Sequence, residues 1–382
     1  MWEEKLTDHL GKVRSILDGN VLERQLWKNI VFCDQICLSG KSFSDKAADV
    51  IAAFLKEPFM PKEPFMLFMD GPSVASGILC AQLADMIAGR STDEGLNVLR
   101  TICDAFADAE LVDVDLSDNA IGQQGIGACK TVLSKPSLER LALCNNGLSE
   151  ATMEEVADIL TYDESGTGCV ATNLTKIHFY NNMSGEGGCK QFARILEKSS
   201  KLTDIRFSST RAGKAGSDIV ASALDAALKK GRNTGLEKLD LYDNNFGNKT
   251  SQDALVSVLE LTKSLSYLNL GSCELGNDGV NKICRALFES DSSLEDLDLS
   301  HNNMGIIGAR ALIDAASAGK LPNLKTISLD GNYFTKDTVG ALVDVFGDKL
   351  EEMEENDSDG EADDDLSDDD SELAGLMSLM TI

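Results

Sequence analysis

Histidine, proline and aromatic residues are scarce in this sequence, and each shortage closes off a class of function. His9, His178 and His301 are the only histidines, and none has a second ligand or a triad partner at a recognisable spacing. Neither zinc chemistry nor a histidine-activated nucleophile is therefore indicated. There is no G-x-x-x-x-G-K-[ST] run, no G-x-G-x-x-G after a strand and no nucleophile elbow, so no nucleotide, metal or other cofactor is expected on this chain itself. The ten cysteines form no C-x-x-C pair, and Cys33 and Cys273 fall at positions of a repeat. That suits reduced thiols serving as small fillers in a cytosolic protein. No apolar run approaches the roughly 18 residues of a membrane-spanning helix. Lysine and arginine number 35 against 63 acids, and the net charge of -28 turns the chain away from nucleic acid and anionic membranes and toward basic protein partners.

What is present is a repeat. Leu111 to Gly122, LVDVDLSDNAIG, places apolar residues at Leu111, Val114, Leu116 and Ile121 with Asn119 between the last two. This is leucine-rich repeat spacing. Val114 and Leu116, two apart, share one face of a short strand. Asn119 can bond main-chain groups that the following turn leaves unpaired. The pattern recurs from Leu138, Leu174, Leu202, Leu236, Leu265, Leu294 and Leu324, with starts 27 to 36 residues apart. Between strands the spacing becomes helical: Val280, Ile283 and Leu287 lie on one face. Such intervals leave room for a full helix after each strand. The expected fold is an α/β leucine-rich repeat solenoid, a ribonuclease-inhibitor-like horseshoe with parallel strands on the concave face and helices on the convex face.

The chain divides accordingly. Residues 1–29 read as a helical lead-in that caps the first repeat. Residues 30–348 form the repeat domain, beginning with the degraded copies CDQICLSGKSFS and ILCAQLADMIAGR, each followed by a helix, over Asp45–Leu55 and Thr92–Ala107. Leu96, Leu99, Ile102, Cys103 and Phe106 should face inward on the second. Four of the six prolines fall in residues 57–75, which read as an irregular insertion. Residues 349–382 form an acidic tail: 351–372 hold fourteen Asp or Glu and no Lys or Arg, a composition that predicts disorder.

Strand positions between the core residues point into the hollow. They read Asp113, Asp115 and Asp118 in one repeat, Asp240 and Asp243 in another, and Glu295, Asp296 and Asp298 in a third. A basic partner would be drawn to such a surface, although a solvated charged rim has the same composition.

Several stretches carry more than a generic repeat. LADMIAGRSTDEGLNVL, LVDVDLSDNAIG, LERLALCNNGLSEA, IHFYNNMSGEGG and LTDIRFSSTRAG, in that order, resemble the Ran GTPase-activating proteins, most of all the plant-type members. The resemblance implies a protein that accelerates GTP hydrolysis by the small GTPase Ran and so supports nucleocytoplasmic transport. GTP, Mg²⁺ and the water-positioning Gln would be Ran's own. GTPase activators in general supply about 10³ to 10⁵ in rate. This family is understood to do so by positioning Ran's Gln rather than by inserting an arginine. Arg90 of IAGR matches the family's essential arginine, suited to bidentate contact with a loop or carboxylate. Asn145, the first Asn of CNNG, matches the residue near the Gln and switch region, and Asn146 beside it is the turn asparagine. Asn181 of YNNM and Arg211 of SSTR are further contact candidates, with Asp115, Asp118, Asp240, Asp243 and Asp298 on the hollow. The expected partner is Ran in its GTP form, alone or with a Ran-binding protein, met by a monomer. The first 29 residues are too few for the plant members' targeting domain, so the expected location is the cytoplasm, with the nuclear envelope reached only by another device. The alternative function is a non-catalytic inhibitor or scaffold for a basic protein.

Overall fold

A computed structural model describes residues 34–57, 73–122, 124–163, 166, 168–289 and 293–358. The lead-in over 1–29, most of the insertion and the acidic run beyond 358 lie outside the described residues. Ten strands form one sheet in strict chain order, every neighbouring pair parallel. They are β1 (Gln35–Cys37), β2 (Cys80–Gln82), β3 (Asp113–Asp115), β4 (Arg140–Ala142), β5 (Lys176–Tyr180), β6 (Asp204–Ser208), β7 (Lys238–Asp240), β8 (Tyr267–Asn269), β9 (Asp296–Asp298) and β10 (Thr326–Ser328). Each is followed by a helix: α1 (Asp45–Lys56), α2 (Thr92–Asp104), α3 (Ile126–Leu133), α4 (Glu150–Thr161), α5 (Gly185–Lys198), α6 (Gly213–Lys229), α7 (Lys249–Leu261), α8 (Gly276–Glu289), α9 (Ile306–Ser317) and α10 (Lys336–Phe346). One strand and its helix make one rung. The architecture is the leucine-rich repeat horseshoe that the spacing predicts.

The register repeats the same residue type rung after rung. Val114 pairs Leu141, Leu141 pairs Ile177, Ile177 pairs Ile205 and Ile205 pairs Leu239, all buried. The strand residues on either side face the hollow. Ser44, Ser91, Ser149, Asn248 and Thr335 cap their helices, each side chain accepting from a first-turn N–H. Between sheet and helices Phe192 stacks on Phe207 at 4.2 Å and meets Phe179 edge-on at 5.8 Å. α2 ends at Asp104 rather than Ala107, and Val98 takes the fully buried place while Leu96 is only partly covered.

The turn after each strand is held by a stack of buried asparagines. The Asn302 carboxamide accepts from Cys273 N and Leu275 N of the preceding rung, both at 3.2 Å, and donates to Leu270 O and Ser300 O. Asn332 repeats this one rung on, accepting from Asn302 N and Met304 N. Asn119, Asn146 and Asn182 form the corresponding run in rungs 3 to 5. At Cys273 the thiol takes the donor's part, lying 3.2 Å from Leu241 O, and burial pushes its ionisation far above the usual range. At rung 6 the stack is interrupted: Thr210 stands in the asparagine position, and Thr210 Oγ1 and Asn244 Oδ1 are buried without a hydrogen-bond partner. β5 and β6 compensate by pairing over five residues, Lys176↔Asp204 to Tyr180↔Ser208.

The end of the arc departs from its composition. The acidic segment from 349 begins, through residue 358, as a finishing layer on rung 10. Leu350 bridges Ile327, Glu351 N donates to Ile327 O, and Asn356 both accepts from Phe334 N and donates to Phe334 O. Its outward side meets water, so only the asparagine of the repeat needs to be kept.

Two substitutions test the stack in urea unfolding. Asn302→Ala strips partners from four buried main-chain groups and lowers stability by about 3 kcal/mol. Thr210→Asn restores acceptor capacity facing rung 5 and raises it by about 1 kcal/mol; an unchanged midpoint would disconnect the Thr210 interruption from stability.

Candidate functional site

Past each strand the chain climbs over the rim, and the residue at the crest takes a left-handed conformation. Asp85, Asp118, Asn145, Asn181, Ser209, Asp243, Ser272 and His301 occupy this place in rungs 2 to 9, with φ between 52° and 60° except Asn145 at 50°. Short polar side chains that bond their own surroundings tolerate this region best. Each crest is pinned to the next rung: Asp118 N to Cys144 O at 2.9 Å, Asn145 N to Tyr180 O at 2.7 Å, and Asn181 N to Ser208 O at 3.0 Å. The result is a ridge of polar groups one strand spacing apart, exposed at Asp118, Asn145, Asn181, Asp243 and His301 and half-buried at Asp85, Ser209 and Ser272.

Three residues singled out from the sequence are consecutive on that ridge and joined through their side chains. Asn145 Nδ2 donates to Asp118 Oδ1 at 2.8 Å, and Asn181 Nδ2 donates to Asn145 Oδ1 at 2.9 Å. Asp243 stands exposed on the same ridge in rung 7. Arg211, also left-handed at φ 61°, is exposed two residues past the crest of rung 6.

Arg90 lies at the same edge, in the loop of rung 2, but its guanidinium is engaged within the chain. Nε donates to Ser42 Oγ at 3.0 Å, Nη2 to Ser42 O at 3.0 Å, and Nη1 to Glu94 Oε1 at 3.2 Å, leaving the side chain 16% exposed. The sequence assigns these donors to a partner. The structure shows them tying the loop of rung 2 to rung 1 and to the first turn of α2, because Ser42 in the degraded first repeat sits within reach. Rungs 2 and 4 are about 10 Å apart at normal strand spacing, so one small protein could touch the Arg90 loop and Asn145 together.

The acids of the hollow are less available than their number suggests. Asp115, Asp240 and Asp298 each accept from the N–H two residues on, Ser117, Tyr242 and Ser300, at 2.9, 3.1 and 2.9 Å. They brace the turn leaving the strand. Asp240 is also buried, with Oδ2 2.9 Å from Arg206 Nε. Burial pushes its carboxyl up despite the Tyr242 N–H and Arg206. Its assignment as a free partner contact is therefore corrected: Arg206, one strand back, has taken the charge. Asp113 is likewise paired, to Arg140 at 2.9 Å.

The middle of the hollow holds His178, read from the sequence as a histidine without a motif partner, and three groups given no role there, Asp204, Arg206 and Tyr180. His178 Nε2 meets Asp204 Oδ1 at 2.8 Å, and the Arg206 guanidinium lies 4.0 Å from the centre of the Tyr180 ring. Burial acts to raise the Asp204 carboxyl, but the His178 hydrogen bond and charge, with Lys176 and Lys238, bring it below its ordinary value. Aligning repeats by strand position would have placed Tyr180 and Arg206 diagonally on adjacent strands. Met183 was missed too: 52% exposed, it follows the turn asparagine Asn182. No cluster of metal-ligating side chains occurs among the described residues, and no helix there is long and apolar enough to cross a membrane.

Comparison with known proteins gives the same architecture and a divided view of use. A family described as Leucine Rich repeat matches residues 263–284 and 290–312. Ribonuclease inhibitor from Sus scrofa is 23% identical over 244 residues, 58% of this chain and 52% of its own length. Ran GTPase-activating protein 1 from Saccharomyces cerevisiae is 23% identical over 328 residues, 84% of this chain and 76% of its own. NACHT, LRR and PYD domains-containing protein 3 from Macaca mulatta is 26% identical over 217 residues, 51% of this chain and 20% of its own. The chain thus spans about half of the first relative and a fifth of the last. Among solved structures, an internalin from Listeria monocytogenes covers 92% of this chain and 93% of its own at 14% identity and a TM-score of 0.40. The unbroken parallel sheet, the asparagine stack and the two matching repeats give this chain the leucine-rich repeat fold.

Proposed function

We propose that this chain is a GTPase activator for Ran and that it works by ordering Ran's own catalytic Gln and switch regions from the ridge of rungs 2 to 6. The observation that carries the reading is Asn145. It is exposed at a crest, fixed at φ 50°, and its carboxamide is held from both sides. After those bonds Nδ2 keeps one hydrogen and Oδ1 one lone pair, the donor and acceptor needed to hold a partner's amide. Arg90 acts beside it by stiffening the rung 2 loop. A partner then meets an edge that loses little freedom on binding. GTP and Mg²⁺ belong to the GTPase in this reading, and a Ran-binding protein can join without occupying the ridge. The alignment with the yeast activator, which runs through every rung that bears a candidate residue, supports it.

The ribonuclease inhibitor alignment, at the same identity, favours a second reading: a scaffold or inhibitor that takes a basic partner into the hollow without changing its turnover. Asp243, exposed on the rim, is the acid left free to meet such a partner at the edge of the hollow, whereas Glu295 is paired with Lys325 at 2.7 Å.

Single-turnover GTP hydrolysis by Ran separates the two. The chain should accelerate it by at least about 10³, and Arg90→Ala should remove most of that while the protein stays folded. Ran turnover unaltered by the wild-type chain would exclude the activator. The acidic run gives a further expectation. Removing residues 359–382 should slow association more at low than at high ionic strength; equal slowing at both would exclude a steering role.

A further inference from the structure

A carboxamide has nearly the same shape when turned by 180°, yet its donor and acceptor ends trade places. An asparagine that must offer one particular end to a partner needs a neighbour that tells the ends apart. Asn145 has one in Asp118, and Asn181 bonds its other end. Asp118 Oδ1, 2.8 Å from Nδ2, belongs to a carboxylate that can only accept. Asn181 Nδ2, 2.9 Å from Oδ1, approaches as a donor. Turning the Asn145 amide over would set oxygen against the Asp118 carboxylate, whereas Asn181, itself a carboxamide, can turn with it; Asp118 therefore fixes the sense of the row and Asn181 adds the second bond.

The main chain makes this arrangement rigid. All three residues are left-handed, at φ 60°, 50° and 52°, and each backbone N–H is anchored to the following rung. Their side chains are short enough to reach only the next rung. Asp85, one rung earlier, is a carboxylate like Asp118 and cannot extend the row.

We infer that Asp118 and Asn181 are positioning residues, which hold the Asn145 carboxamide in a single orientation with its free hydrogen and lone pair turned outward. This rests on the reading that Asn145 meets the GTPase, and it moves Asp118 and Asn181 from partner contacts to supports.

Glycine is the right deletion at these positions because it accepts positive φ without strain. Asp118→Gly and Asn181→Gly should each lower the maximal rate of Ran GTP hydrolysis about fivefold, the size of one lost hydrogen bond. The half-saturating concentration should move less than twofold. Asp118→Asn keeps a hydrogen bond to Asn145 but can donate as well as accept, so it no longer tells the two ends apart and should recover only part of the rate. In an Asn145→Gly background, Asp118→Gly should cost nothing more. An equal cost in both backgrounds, or a loss confined to affinity, overturns the inference. A readout without Ran runs in parallel: the side-chain amide resonances of Asn145 in ¹⁵N-labelled full-length protein should shift and sharpen on Asp118→Gly. If they stay fixed, the inference fails; if they move while the wild-type chain leaves Ran turnover unchanged, the positioning stands and the activator reading falls.

Discussion

A buried carboxamide bonding the main chain of the rung before it is the contact on which this architecture depends. A strand of three residues cannot close a rung alone, because the turn that follows leaves main-chain N–H and C=O groups facing the core, where an unpaired group is expensive. Asn302 answers for two N–H groups and two carbonyls at once. Since its acceptor oxygen reaches backward and its donor hydrogens serve both rungs, the same residue sets the climb of the chain and the distance between copies.

The functional edge follows from that climb. Once a turn is fixed in the core, the crest is left-handed, and Asp, Asn and His tolerate that region best. A row of Asp, Asn and Ser, with His301 in rung 9, therefore arises from backbone geometry before any partner is considered. Function enters in what the neighbours do to one another: a carboxylate, an amide and a second amide in succession, with a clamped arginine loop two rungs away.

The repeat, its strand positions and its buried residues could be read directly, since the spacing of Leu111, Val114, Leu116 and Asn119 maps one to one onto core contacts. Asn145 and Asn146 could be told apart as outward and inward by that spacing alone. What could not be read were pairings across rungs. Arg90 meets Ser42 from a repeat too degraded to align with assurance, and Asp240 is claimed by Arg206 from the preceding strand. The acids of the hollow therefore looked freer than they are. Composition misled at the end of the arc, where residues rich in Glu finish the stack because Asn356 keeps register with Asn332.

The interruption at rung 6 bears on mechanics. Rungs 5 and 6 make up for Thr210 with a longer run of backbone pairing, but rungs 6 and 7 pair over only three residues while Asn244 Oδ1 goes without a donor. That junction is tied by side chains instead: Arg206 reaches Asp240 at 2.9 Å, Asn248 reaches Asp218 at 2.7 Å and Ser257 reaches Asp225 at 2.6 Å, so load crosses it through polar side-chain pairs where elsewhere the buried carboxamides carry it.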